Sequence, residues 1–178
     1  MTYLYIIIKI MNYHEAKDKF IQTWGTLGSS WGISRTMAQV HALLLISPEA
    51  LSTEDVMEQL KISRGNANMN LRDLLDWGLA YKELKSGDRK DFFIAEKDIW
   101  KVAKQIIKER RKREIEPVLN VLEELKNVKG DKNDKRHKAF IESVTNIERV
   151  VEKADFAFDK AVKLDENAIV SALFKLFK

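Results

Sequence analysis

The chain has no cysteine, two prolines and seven glycines in 178 residues. The missing thiols exclude disulfides, cysteine nucleophiles, thiol redox sensing and thiolate zinc sites together, and they fit a cytoplasmic setting. So little proline and glycine argues against a turn-rich β fold. No apolar run is long enough to span a bilayer. The first ten residues, MTYLYIIIKI, are apolar but lack a basic leader and a small-residue cleavage site. Because Met11 opens a well-patterned segment, residues 1–11 read as an extension, with Met11 as the expected working start.

What is present favours helices. Hydrophobic residues make up 45% of the chain, enough for a core, and 31 basic against 27 acidic residues give a net charge of +4. That balance is compatible with nucleic acid without identifying it. Apolar residues at Tyr13, Ala16, Phe20, Trp24, Leu27 and Trp31 mark one face of a first helix, which Gly25, Gly28 and Gly32 are expected to interrupt or end. MAQVHALLLI predicts a second helix, Ser34 to Ile46, apolar nearly all round and stopped by Ser47 and Pro48. Ser52 is expected to cap a third, with Glu54 and Asp55 in its first turn and Val56, Met57 and Leu60 inward.

The fourth helix, KISRGNANMNLRDLLDWGL, is the unusual one. Ser63 is its expected N-cap and Gly78 the residue past its end, yet Gly65, Asn66, Asn68 and Asn70 are poor helix formers. The helical wheel groups Ala67, Leu71, Leu74 and Leu75, sets Gly65, Asn66, Met69, Arg72 and Asp73 broadly opposite, and leaves Asn68 at the border. LAYKEL and DFFIAE then flank KSGDRK as a hairpin with a basic loop.

Beyond Glu96 the pattern is helical, with Ile99, Ala103, Ile106 and Ile107 on one face and Ile115, Leu119, Leu122 and Leu125 on a later one. The segment KERRKRE between them has no apolar residue and Pro117 lies just beyond, so the helix should kink or divide there. The basic run from Lys108 to Arg113 could lie along phosphates or be a solvated turn. After the polar NVKGDKNDKR, a four-three series from Phe140 through Val144, Ile147, Val151, Ala154 and Phe158 to Ala161 suits helix packing, and a last short helix is expected from Asp165.

Three compact helices and then a hairpin give the order of a winged helix-turn-helix, whose last core helix enters the DNA major groove while the wing reaches the backbone. Asparagine can pair bidentately with adenine, and a helix N-terminus favours phosphate. In family order the chain carries WG, ALLLISPEALS, ISRGNANMNLRDLLDWGL, SGDRKDFF and KERRKREIEP. Over about residues 12 to 128 it resembles the GbsR-type branch of the MarR-like winged helix regulators.

The resemblance implies a dimeric, sequence-specific regulator of transcription that binds double-stranded DNA at a pseudo-palindromic site, with repression as the expected mode. It implies recognition-helix contacts from Ser63, Arg64, Gly65, Asn66, Asn68 and Arg72, and wing contacts from Arg89 and Lys90. Some members respond to choline, and a small-molecule effector of that class would find cation–π walls in Phe20, Trp24 and Trp31. The commoner use of such an aromatic stripe is core or dimer seam.

The expected architecture is mostly α: a winged helix-turn-helix domain at 12–95 with a short β-hairpin wing, and long dimerisation helices at 96–178. A homodimer without cofactor is the expected assembly. His14, His41 and His137 have no ligand-spaced partners, so no metal site is expected. No P-loop or nucleophile elbow occurs, which argues against an enzyme. The rival reading is a winged helix used as a protein-interaction module.

Overall fold

The computed structural model describes residues 11–30, 32–130 and 134–163. The short helix expected from Asp165, Trp31 and the opening MTYLYIIIKI lie outside them. The chain divides into two compact units, Met1–Lys97 and Asp98–Lys178.

In the first unit, α1 (Tyr13–Ser30), α2 (Arg35–Ile46), β1 (Leu51–Ser52), α3 (Thr53–Leu60), α4 (Arg64–Asp76), β2 (Ala80–Glu83) and β3 (Phe92–Ala95) run in the winged helix order. The nearly uniform apolar composition of α2 places it at the centre, where Val40, Ala42, Leu43 and Leu44 are sealed from solvent. Lys97 closes its C-terminal end, donating from Nζ to the carbonyls of Leu44, Leu45 and Ser47 at 2.7, 2.8 and 2.7 Å. Those carbonyls have no partner within the helix, and the cation sits at the negative end of the dipole.

Two expectations for α1 need correction. Gly25 and Gly28 do not interrupt the helix; both are buried inside it. A Cβ at Gly28 would lie 2.5 Å from the Cβ of Ala38, and one at Gly25 would lie 2.7 Å from Cγ of Gln39, so the missing side chains let α1 and α2 approach closely. The inward face is therefore Ile21, Gly25 and Gly28, while Tyr13, Ala16 and Leu27 are exposed. Only Gly32, at φ 77, stands beyond the helix as a breaker.

The hairpin is part of a three-stranded antiparallel sheet in the order β1-β3-β2. Ala80 pairs with Ala95 and Glu83 with Phe92 across the hairpin, and Leu51 and Ser52 pair with the other edge of β3. Being central, β3 buries Phe92, Phe93 and Ala95. Strand β1 is not foreshadowed in the sequence because two residues carry no alternation, and Ser52 is also the N-cap of α3.

In the second unit, α5 (Ile99–Arg110) passes through a π-helical turn, Arg111–Ile115, into α6 (Glu116–Lys126), and α7 (Lys135–Lys163) packs against α5 and α6. The division falls where the basic segment meets Pro117, which has no N–H to return to the carbonyl of Arg113. Val102, Leu122 and Val144 are buried here, while Phe140, Ile147, Val150 and Phe156 remain exposed on α7. The expected inward series on α7 is thus only partly covered within the monomer.

Candidate nucleic-acid interface

The approach to α4 is built by two caps. Ser52 and Asp55 form a capping box on α3: the Asp55 backbone N–H donates to Ser52 Oγ at 3.2 Å, and Asp55 Oδ2 accepts from the Ser52 backbone N–H at 2.8 Å. The two hydrogen bonds from Ser52 hold the Asp55 carboxyl below its ordinary range. After Leu60 the chain reverses at Lys61, whose φ of 53 is left-handed, and Ser63 then caps α4 by accepting from the Asn66 N–H at 3.3 Å. Gly78, at φ 65, stands past the far end of α4 as its C-terminal stop.

Each awkward residue of α4 stands in a different environment. Asn70, which the wheel reading did not assign to a face, is fully buried in the core. The wheel held the signal, because residue 70 lies three positions after Ala67 and four before Leu74. Asn66 is half-buried and accepts from Asn70 Nδ2 at 2.6 Å. Asn68 is exposed and its Oδ1 accepts from Thr53 Oγ1 at 3.2 Å, a bond from α3 that the sequence did not announce. Gly65 is exposed, and a Cβ there would meet nothing within 4 Å. Packing among the described residues therefore gives no reason for glycine at 65, although glycine costs the helix about 1 kcal/mol against alanine.

The charged side chains around this turn are exposed. Arg64 pairs with Glu54 at 2.7 Å. Glu54 is held below the usual carboxylate range first by its own backbone hydrogen bond and then by Arg64, with a smaller contribution from Lys90. Lys90 also lowers Asp55, so the wing brings positive charge to the side of the core where α3 and α4 begin. Arg72, Arg89 and Lys90 are exposed and make no ion pair among the described residues. The wing loop turns at Gly87, φ 85, and the Lys90 N–H donates to Asp88 Oδ1 at 3.1 Å.

The other candidates behave differently. Phe20 and Trp24 stack with centroids 5.5 Å apart and planes 28° from parallel, which leaves no space between them for a guest. Trp24 Nε1 donates to Nδ1 of buried His41 at 3.3 Å, tying the stripe to α2. Burial, and secondly the charge of Lys97, depress the His41 pKa to about 4. In the basic run, Arg110 pairs with Glu114, Arg113 with Glu109, and Arg111 makes a two-pronged pair with Asp155 of α7. Only Lys108 and Lys112 of that run point to solvent without such a pair.

Among the described residues no group of three or more His, Cys, Asp or Glu could hold a metal ion. No helix there is long and apolar enough to cross a membrane.

No family model matches the chain. The HTH-type transcriptional repressor GbsR of Bacillus subtilis is 24% identical over 109 residues, which is 61% of this chain and 60% of that protein. Over those residues this chain is similar to GbsR. It thus spans about three fifths of the length of its curated relative. A crystal structure of a transcriptional regulator has 20% identity and a TM-score of 0.54 over 82% of this chain and 99% of its own, so the two share a fold. Wild-type MarR from E. coli aligns over 82% of the chain and 98% of its own at 14% identity, but its TM-score of 0.38 is too low to bear on the fold.

Proposed function

We propose that the chain is a sequence-specific transcriptional regulator of double-stranded DNA, acting in the cytoplasm as a homodimeric repressor. Helix α4 enters the major groove, with Ser63, Arg64, Gly65, Asn66, Asn68 and Arg72 as its contacts, and the wing sets Arg89 and Lys90 on phosphate. The observation that carries this reading is Gly65. A residue that costs helix stability and fills no packing need leaves the backbone of the α4 first turn open to close approach. The exposed row on α7 and the exposed Tyr13 and Leu27 of α1 supply apolar surface for a second copy. A two-fold dimer would read half-sites about one helical turn apart. The stacked Phe20 and Trp24 support a packing role for the aromatic stripe.

Selection of duplexes from a randomised pool by the full chain, with titration of the selected site against salt, tests the proposal. The expected result is an enriched site with a dyad and an affinity that falls steeply as salt rises. A folded chain that retains no duplex even at low salt would overturn it in favour of a protein-interaction module.

A further inference from the structure

Asn70 sits at 0% exposure inside α4, and a buried amide must spend its donors and acceptor within the protein. Its Nδ2 donates to the backbone carbonyl of Asn66 at 2.7 Å and to Oδ1 of Asn66 at 2.6 Å. Its Oδ1 accepts from Ser34 Oγ at 3.5 Å. Ser34 Oγ in turn accepts from the Met37 N–H at 3.3 Å, which leaves its own hydrogen for Asn70.

This chain of bonds fixes two orientations. A backbone carbonyl can only accept, so the Asn70 atom beside it has to be the NH2 group. That same NH2 group meets the Asn66 side chain, so the atom Asn66 turns inward has to be its oxygen. The Asn66 NH2 group is left pointing away from that contact, without a hydrogen-bond partner among the described residues. Asn66 is also the third residue of α4, in the turn from which recognition helices touch base edges.

We propose that Asn70 is a positioning residue that holds Asn66 with its NH2 group outward, so that Asn66 reads guanine by its acceptors instead of pairing bidentately with adenine. The proposal rests on α4 being the helix that enters the groove. Bidentate adenine recognition needs the asparagine oxygen to accept from N6 while the NH2 group donates to N7. Here that oxygen is turned inward and engaged. Guanine offers two neighbouring acceptors, N7 and O6, to a donor-only partner, and the flanking Arg64 and Arg72 are donors as well.

The test is duplex selection from a randomised pool by the full-length parent, Asn66→Ala and Asn70→Leu, with helicity monitored by circular dichroism. At the position that Asn66→Ala relaxes, the parent should prefer guanine by about five- to tenfold, the worth of one or two hydrogen bonds. Asn70→Leu should relax the same position and no other, while binding random duplex as the parent does. A merely structural asparagine would weaken all positions together. Adenine at the Asn66-dependent position, or no such position, would overturn the proposal while leaving DNA binding intact. No enriched site at all would overturn both readings. Because the base identity is read with the parent and Asn66→Ala alone, a failure of Asn70→Leu to fold still leaves a decisive result.

Discussion

Trp24 gives its indole hydrogen to His41 Nδ1 across 3.3 Å, so the histidine that joins α1 to α2 must hold its own proton on Nε2 and stay neutral. Its Nε2 is buried without a partner. With a folded pKa of about 4 against 6.5 for the free residue, the unfolded chain binds more protons between those values. The stability His41 supplies is therefore fully present above pH 6.5 and is lost as pH falls toward 4, by about 3 kcal/mol at most. Urea unfolding at pH 7.5, 6 and 5 measures it. His41→Gln should flatten the curve in that window, and an unchanged slope would contradict the assignment.

Gly28 and Gly65 should respond oppositely to the same change. Gly28→Ala drives a Cβ to within 2.5 Å of Ala38 and should cost about 1–3 kcal/mol through overpacking of two helix backbones. Gly65→Ala meets nothing and should raise thermal stability by several tenths of a kcal/mol up to ~1, while weakening binding to duplex DNA. Melting curves and anisotropy titrations on both variants decide this.

Removing the Lys97 amine by Lys97→Met strips three donors from the C-terminal carbonyls of α2. A loss of about 1–2 kcal/mol is expected, less than three isolated hydrogen bonds would suggest because water replaces the exposed part. Denaturant titration at neutral pH would show a lower midpoint with an unchanged slope.

Arg89→Ala and Lys90→Ala on the wing should each reduce affinity for specific and random duplex alike, and each should flatten the salt dependence by about one phosphate. An effect confined to one sequence would remove these side chains from the backbone contacts.

Ile147→Glu and Val150→Glu place charge on the exposed row of α7 without touching the buried Val144. Light scattering at micromolar concentration should then shift from a dimer toward a monomer, with helicity retained. A parent chain that is already monomeric would remove the dimer.

The helices were legible because their punctuation is local. Ser34, Ser52 and Ser63 all cap where the serines stand before apolar periods, and the uniform apolarity of α2 marks the centre of the core. The features that escaped depend on partners distant in sequence. The inward glycines of α1 make sense only beside Ala38 and Gln39, and β1 exists only as an edge for β3. At the site, Gly65 and Arg72 could be placed outward from the wheel. The inner bonds of Asn66 and Asn68 could not, since they depend on side chains of Asn70 and Thr53 meeting them in space.

The π-helical turn at Arg111–Ile115 acts as a phase shift within the second unit. A widened turn accommodates one residue more than a regular α-helix would over the same path, and each residue rotates the downstream helix by about 100°. Leu119, Leu122 and Leu125 of α6 owe their angular setting to that extra residue. Were the turn tightened to a regular α-helix with all its residues kept, Val118, Val121 and Glu124 would move into those three places, whereas deletion of one residue from the turn would leave Leu122 at its buried position.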